Sequence, residues 1–104
     1  MKLVRNKIPS IIEDSGGSCT YRIADKEEMK DLLFKKLEEE SKEFIECPSL
    51  MEAADMYEVF LSILSHWGID FSSVVNHSYY KREARGSFDK GVVLIESSNK
   101  KEGT

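Results

Sequence analysis

No stretch of this sequence approaches the roughly 20 apolar residues in a row that a membrane-spanning helix requires. The opening, Met1-Lys-Leu-Val-Arg-Asn-Lys-Ile-Pro9, is broken by charge before a signal-peptide core can build up, so the chain is expected in solution in the cytoplasm. Cysteine is scarce as well. Cys19 and Cys47 are the only two, and their spacing matches neither a metal-ligand pair nor a redox motif, which leaves two reduced thiols as the expectation. An excess of basic residues is also missing: Lys and Arg total 15 against 19 for Asp and Glu, a formal net charge of −4. No positive field exists to hold a nucleic-acid polymer. An anionic ligand would have to be met by a metal ion or by a few local basic groups.

What is present is helical patterning. Ile8, Ile11 and Ile12 around Pro9 suggest a short helix closed by Gly16-Gly17. Asp25 followed by Glu28 has the form of a capping box. Met29, Leu33, Leu37 and Phe44 then continue one stripe, widened by Leu32 and Ile45, which predicts a helix over 26–46. Cys47-Pro48-Ser49 breaks it, and Ser49 with Glu52 opens a second helix over 50–66. That helix carries Leu50, Ala53, Ala54, Tyr57, Phe60, Leu61 and Leu64 and is apolar on most sides, which calls for burial between several neighbours. Gly68 ends it. Asp70 is placed to cap a last helix over about 71–84 with Phe71, Val74, Val75 and Tyr79. Val92-Val93-Leu94-Ile95 is β-prone and is expected to pair with the extended piece Tyr21-Arg22-Ile23. The fold expected is mainly α: an antiparallel helical bundle with short extended segments near 21–23 and 91–96. It forms one domain over 1–96 with a flexible tail at 97–104. A single core from 104 residues is thin, so completion by oligomerisation is expected.

Within this pattern Glu40 is out of place, because it lies three residues after Leu37 and four before Phe44, on the stripe that should face the core. Glu43 follows one turn later, and Glu39 precedes Glu43 by one turn. Glu52 and Asp55 repeat the arrangement on the next helix. The connection Cys47-Pro48-Ser49 is so short that the two helices must run antiparallel as neighbours. Four carboxylates, Glu40, Glu43, Glu52 and Asp55, thereby converge, and they stay ionised in a partly dry cleft only if a cation neutralises them. Otherwise some must take up protons. An all-oxygen set favours a hard cation such as magnesium, with manganese as its substitute. Neither His66 nor His77 stands at the Glu-x-x-His spacing of di-iron bundles. The competing account makes Glu52 simply the capping-box acid. It makes Glu39 and Glu43 a solvated face paired with Lys35, Lys36 and Lys42.

Glu40-x-x-Glu43 followed by Glu52-x-x-Asp55 resembles the E-x-x-E and E-x-x-D pair of the all-α nucleotide pyrophosphohydrolases, the superfamily of the MazG-like proteins and phosphoribosyl-ATP pyrophosphohydrolase. The resemblance extends from Lys2-Leu-Val-Arg-Asn-Lys-Ile-Pro9 through Tyr21-Arg-Ile-Ala24 and Lys81 to Arg85-Gly-Ser-Phe88. It is to the small single-domain, phosphoribosyl-ATP pyrophosphohydrolase-like branch, whose opening usually reads V-R-D-K-I-P; here Asn6 stands in place of the acid. What the resemblance implies is magnesium-dependent attack of water near the α-phosphorus of a nucleotide, releasing pyrophosphate and leaving a monophosphate. Glu40, Glu43, Glu52 and Asp55 would be the metal ligands. Glu39 would be a further ligand or the base for the water, and dimers or tetramers are implied as well.

Lys81 and Arg85, four apart on the last helix, are candidates to hold phosphates, as are Arg5 and Lys7. Their competing account is solvated surface. Tyr79, Tyr80, Phe60 and Trp67 are candidates to stack on a base, although such aromatics are more often core or subunit contacts; His66 and Trp67 are read as packing residues. The function expected is a house-cleaning pyrophosphohydrolase for non-standard nucleotides. The alternatives are a phosphoribosyl-ATP pyrophosphohydrolase of histidine biosynthesis, a non-catalytic nucleotide-binding regulator, and a plain helical interaction protein.

Overall fold

The computed structural model describes residues 1–98. Its four helices are α1 (Ile8–Asp14), α2 (Lys26–Glu46), α3 (Leu50–His66) and α4 (Phe71–Arg85). Two compact units divide the chain, one spanning Met1–Phe71 and a second beginning at Ser72. The tail expected at 97–104 lies, from residue 99 onward, outside the described residues.

In the first unit the helix ends follow local chemistry. Pro9 occupies the first turn of α1, where its missing N–H costs nothing. At its far end the Gly16 N–H donates to the Glu13 carbonyl and the Gly17 N–H to the Ile12 carbonyl. This is a Schellman closure with Gly16 at φ +90°. α3 closes the same way: the Gly68 N–H donates to Ser65 O and the Ile69 N–H to Leu64 O at 2.9 Å, with Gly68 at φ +66°. The two expected capping boxes are half formed. Asp25 accepts from the Glu28 N–H at 2.9 Å and the Ser49 hydroxyl accepts from the Glu52 N–H at 3.2 Å. Neither glutamate reaches back: Glu28 is held by Arg22 instead, and the Glu52 Oε2 is buried without a partner.

α2 and α3 pack on one another as an antiparallel hairpin. Its two ends are pinned by Phe34 stacking on Trp67, with ring centroids 4.8 Å apart, and by Glu40 meeting Glu52 and Asp55. Of the expected stripe on α2, Leu33 is buried, Met29, Leu32, Leu37 and Phe44 are half-buried, and Ile45 is 76% exposed. α3 departs from expectation more strongly. Its buried residues are Val59 and Leu64, while Leu50, Met51, Tyr57 and Phe60 are exposed. The buried hydrophobic core among the described residues is Leu33, Val59 and Leu64.

In the second unit α4 extends one residue beyond the 71–84 expected and buries none of its residues. Tyr79 and Tyr80 meet edge to face, 5.9 Å between centroids. No strand forms at 21–23 or 91–96 among the described residues. Val92, Val93, Leu94 and Ile95 are exposed, so β-propensity there has no ladder to act through.

Candidate functional site

The acidic residues of the hairpin lie where α2 ends and α3 begins. Glu40 and Glu43 project from one side of α2 because they are one turn apart; Glu52 and Asp55 do the same from the first turns of α3. The three-residue connection folds these faces together. One carboxylate oxygen each from Glu40, Glu52 and Asp55 lies within 4.8 Å of the others, and Glu39, Glu40 and Glu43 form a second such group. Glu40 belongs to both and is the hinge of the cluster.

Its position is unusual for an acid: Glu40 is 6% exposed, the one buried charged residue among those described. Oε1 receives the Lys36 ammonium at 3.2 Å. Oε2 is buried with no hydrogen-bond partner, as is Oε2 of Glu52. Orphaned buried carboxylate oxygens are costly unless something neutral or positive reaches them. The Glu43 carboxyl is pushed above the ordinary range, chiefly by the charge of Glu40, with burial adding to it. Burial pushes Glu39 up too, but hydrogen bonds from Lys36 and Lys2 outweigh it and hold that carboxyl below its usual value. Lys36 loses by burial and regains more from Glu40 and Glu39, so its ammonium is held more firmly than usual.

Two further cations reach the cluster from the N-terminal segment. The Arg5 Nη2 meets Asp55 Oδ1 at 2.9 Å, and Lys2 Nζ meets Glu39 Oε1 at 3.3 Å. Lys36 and Arg5 are thus bound to the acids in two different ways, one along a helix and the other across 50 residues of chain. Lys2 and its pairing with Glu39 escaped the sequence reading, because nothing in the spacing of residues 37 apart announces it.

The donor set is all oxygen, carboxylate-rich, partly dry and incompletely neutralised. Such a set is fitted to a hard divalent cation that keeps part of its water shell. A bound cation would give the orphaned oxygens of Glu40 and Glu52 a partner.

No family model, no curated protein and no solved structure matches this chain. The site therefore stands on its own geometry. Of the expected substrate contacts, Arg5 lies beside the acids. Lys7, at the N-cap of α1, makes no ion pair among the described residues. Lys81 and Arg85 belong to the second unit, one turn apart on α4. Trp67 is taken up by Phe34 on one side and by the edge-to-face contact with His66 on the other, which agrees with packing for both. No helix is long and apolar enough to cross a membrane among the described residues, and Cys19 and Cys47 are exposed and unbridged.

Proposed function

We propose that the protein is a magnesium-dependent nucleotide pyrophosphohydrolase, cleaving a nucleoside triphosphate or a related nucleotide to the monophosphate and pyrophosphate. The observation that carries this is the pair of orphaned buried oxygens, Glu40 Oε2 and Glu52 Oε2, in a nest shared with Asp55 and Glu43. A purely solvated acidic face would leave those atoms in water. A capping role for Glu52 would send its carboxylate back to the Ser49 N–H, a bond it does not make.

In this reading Glu40, Glu43, Glu52 and Asp55 hold the cation. When bound, it supplies polarisation of phosphoryl oxygens, acidification of a water molecule and neutralisation of the departing charge. Lys36 fixes the Glu40 and Glu39 carboxylates from the same helix. Glu39, paired with Lys36 and Lys2, is a further ligand of the cation or the acceptor for a proton of the attacking water. Arg5 is the nearest cation for a phosphate. The exposed apolar residues of α3, Leu50, Met51, Tyr57 and Phe60, support its covering by a second copy in a homodimer or homotetramer.

Pyrophosphate release from a panel of triphosphates and phosphoribosyl-ATP, with and without magnesium, tests the reaction and sorts its substrates. Glu40→Gln and Asp55→Asn should each lower the rate at least about 100-fold, since even groups behind a metal ligand are worth up to that. Undiminished turnover in both variants would remove the ligand assignment. Nucleotide binding without product would leave a regulatory binding protein.

A further inference from the structure

Lys2 and Arg5 differ from Lys36 in how they hold the acids. Lys36 is 17% exposed and anchored on the same helix as its partners. Arg5 and Lys2 are more than half exposed and come from a segment with no regular structure before α1. Ion pairs of that kind contribute little and exchange readily. The same two residues line a cleft of about 800 Å³, together with apolar Leu3, Tyr21 and Ile23 and with Arg22.

We infer that Arg5 and Lys2 are exchangeable counterions. They neutralise Asp55 and Glu39 in the metal-free protein. When those acids take a divalent cation, the two basic heads turn to an anionic, phosphate-bearing ligand whose less polar part lies in the cleft. This rests on the metal reading above. Leaving a guanidinium beside a newly bound cation is repulsive until an anion arrives, so metal and ligand bind with positive coupling. Asp55 and Arg5 form the joint between the two events.

The test measures Mn²⁺ binding, by its electron paramagnetic resonance signal, to the wild-type full chain, to the Arg5→Gln Lys2→Gln double variant, and to Lys35→Gln as a charge control on α2. Binding of a non-hydrolysable triphosphate analogue is then measured with and without Mn²⁺. The double variant should bind Mn²⁺ alone about fivefold more tightly, the release of two exposed pairs, and the control should change less than about twofold. Its coupling between Mn²⁺ and the analogue should fall about tenfold. A double variant no tighter for Mn²⁺ than the control, or with its coupling intact, overturns the exchange alone. A wild-type chain that binds no Mn²⁺ overturns the metal reading with it.

Discussion

Glu40 is held on one oxygen and abandoned on the other: Lys36 serves Oε1 at 3.2 Å while Oε2 is buried without a partner. Removing its charge therefore acts in two directions at once. Glu40→Gln loses an ion pair but relieves repulsion from Glu43, Glu52 and Asp55. The expected outcome is a metal-free Tm equal to or above wild type, together with a rise in Tm on adding millimolar magnesium to wild type that the variant does not show. Thermal melts with and without magnesium check both halves. A metal-free Tm several degrees lower would instead mark Glu40 as a structural partner of Lys36. Glu28 offers a pH test away from the cluster. Its hydrogen bond from Arg22 holds the carboxyl below its ordinary value. A carboxyl depressed in the folded state lends stability that is present above the unfolded value and disappears as pH falls through the folded one. Acid titration of stability below the ordinary carboxylate range should accordingly be shallower in Glu28→Gln than in wild type. Equal slopes would show that the Arg22 pair is not formed in solution.

At the level of elements, the breakers and caps set the helices, and single substitutions should expose this. Gly68 sits at φ +66° with open space where a Cβ would lie. Gly68→Ala should therefore cost about 1 kcal/mol from backbone conformation alone, with no clash. Asp25→Ala should cost a similar amount, about 1 kcal/mol, by orphaning the Glu28 N–H. Denaturant unfolding of each variant measures these values; a cost near zero at Gly68 would show the α3 closure frayed in solution. These ends were legible because caps, glycines and the 3.6-residue period are local: α2 and α3 lie over 26–46 and 50–66 as the sequence predicts. Of the four acids expected to converge, Glu40, Glu52 and Asp55 lie together, since a three-residue connection leaves two helices no other course, while Glu43 groups with Glu39 and Glu40. What was not legible is every contact made across the chain. Arg5 with Asp55 and Lys2 with Glu39 are 50 and 37 residues apart, and no periodicity encodes such pairs. Val92–Ile95 forms no strand among the described residues, and its composition alone could not decide this, because strand propensity expresses a fit to a neighbouring strand.

For the molecule as a whole, the amount of apolar surface left uncovered is the outstanding physical fact. Leu33, Val59 and Leu64 are the buried hydrophobic residues among those described, while Leu50 is 87% and Met51 78% exposed at the start of α3. A helix with mean apolar character on most sides does not gain from presenting that side to water. Each such side chain covered by a second copy contributes about 1.5–3 kcal/mol of transfer free energy before association costs are met. Sedimentation velocity should accordingly report a species of at least twice the 11.9 kDa chain mass. Leu50→Glu with Met51→Glu should shift it toward the monomer and lower the Tm in a concentration-dependent way. The acids at the cluster lie within one to five residues of these positions on α3, so the same variants also ask whether the site depends on the partner. If magnesium still raises the Tm of the dissociated form, Glu40, Glu52 and Asp55 bind their cation within one chain. If the increase disappears with the dimer while Leu50→Ala retains both, the second copy holds the acidic hairpin in its binding geometry. A wild-type chain that sediments as a monomer at high concentration rules out the covered face altogether.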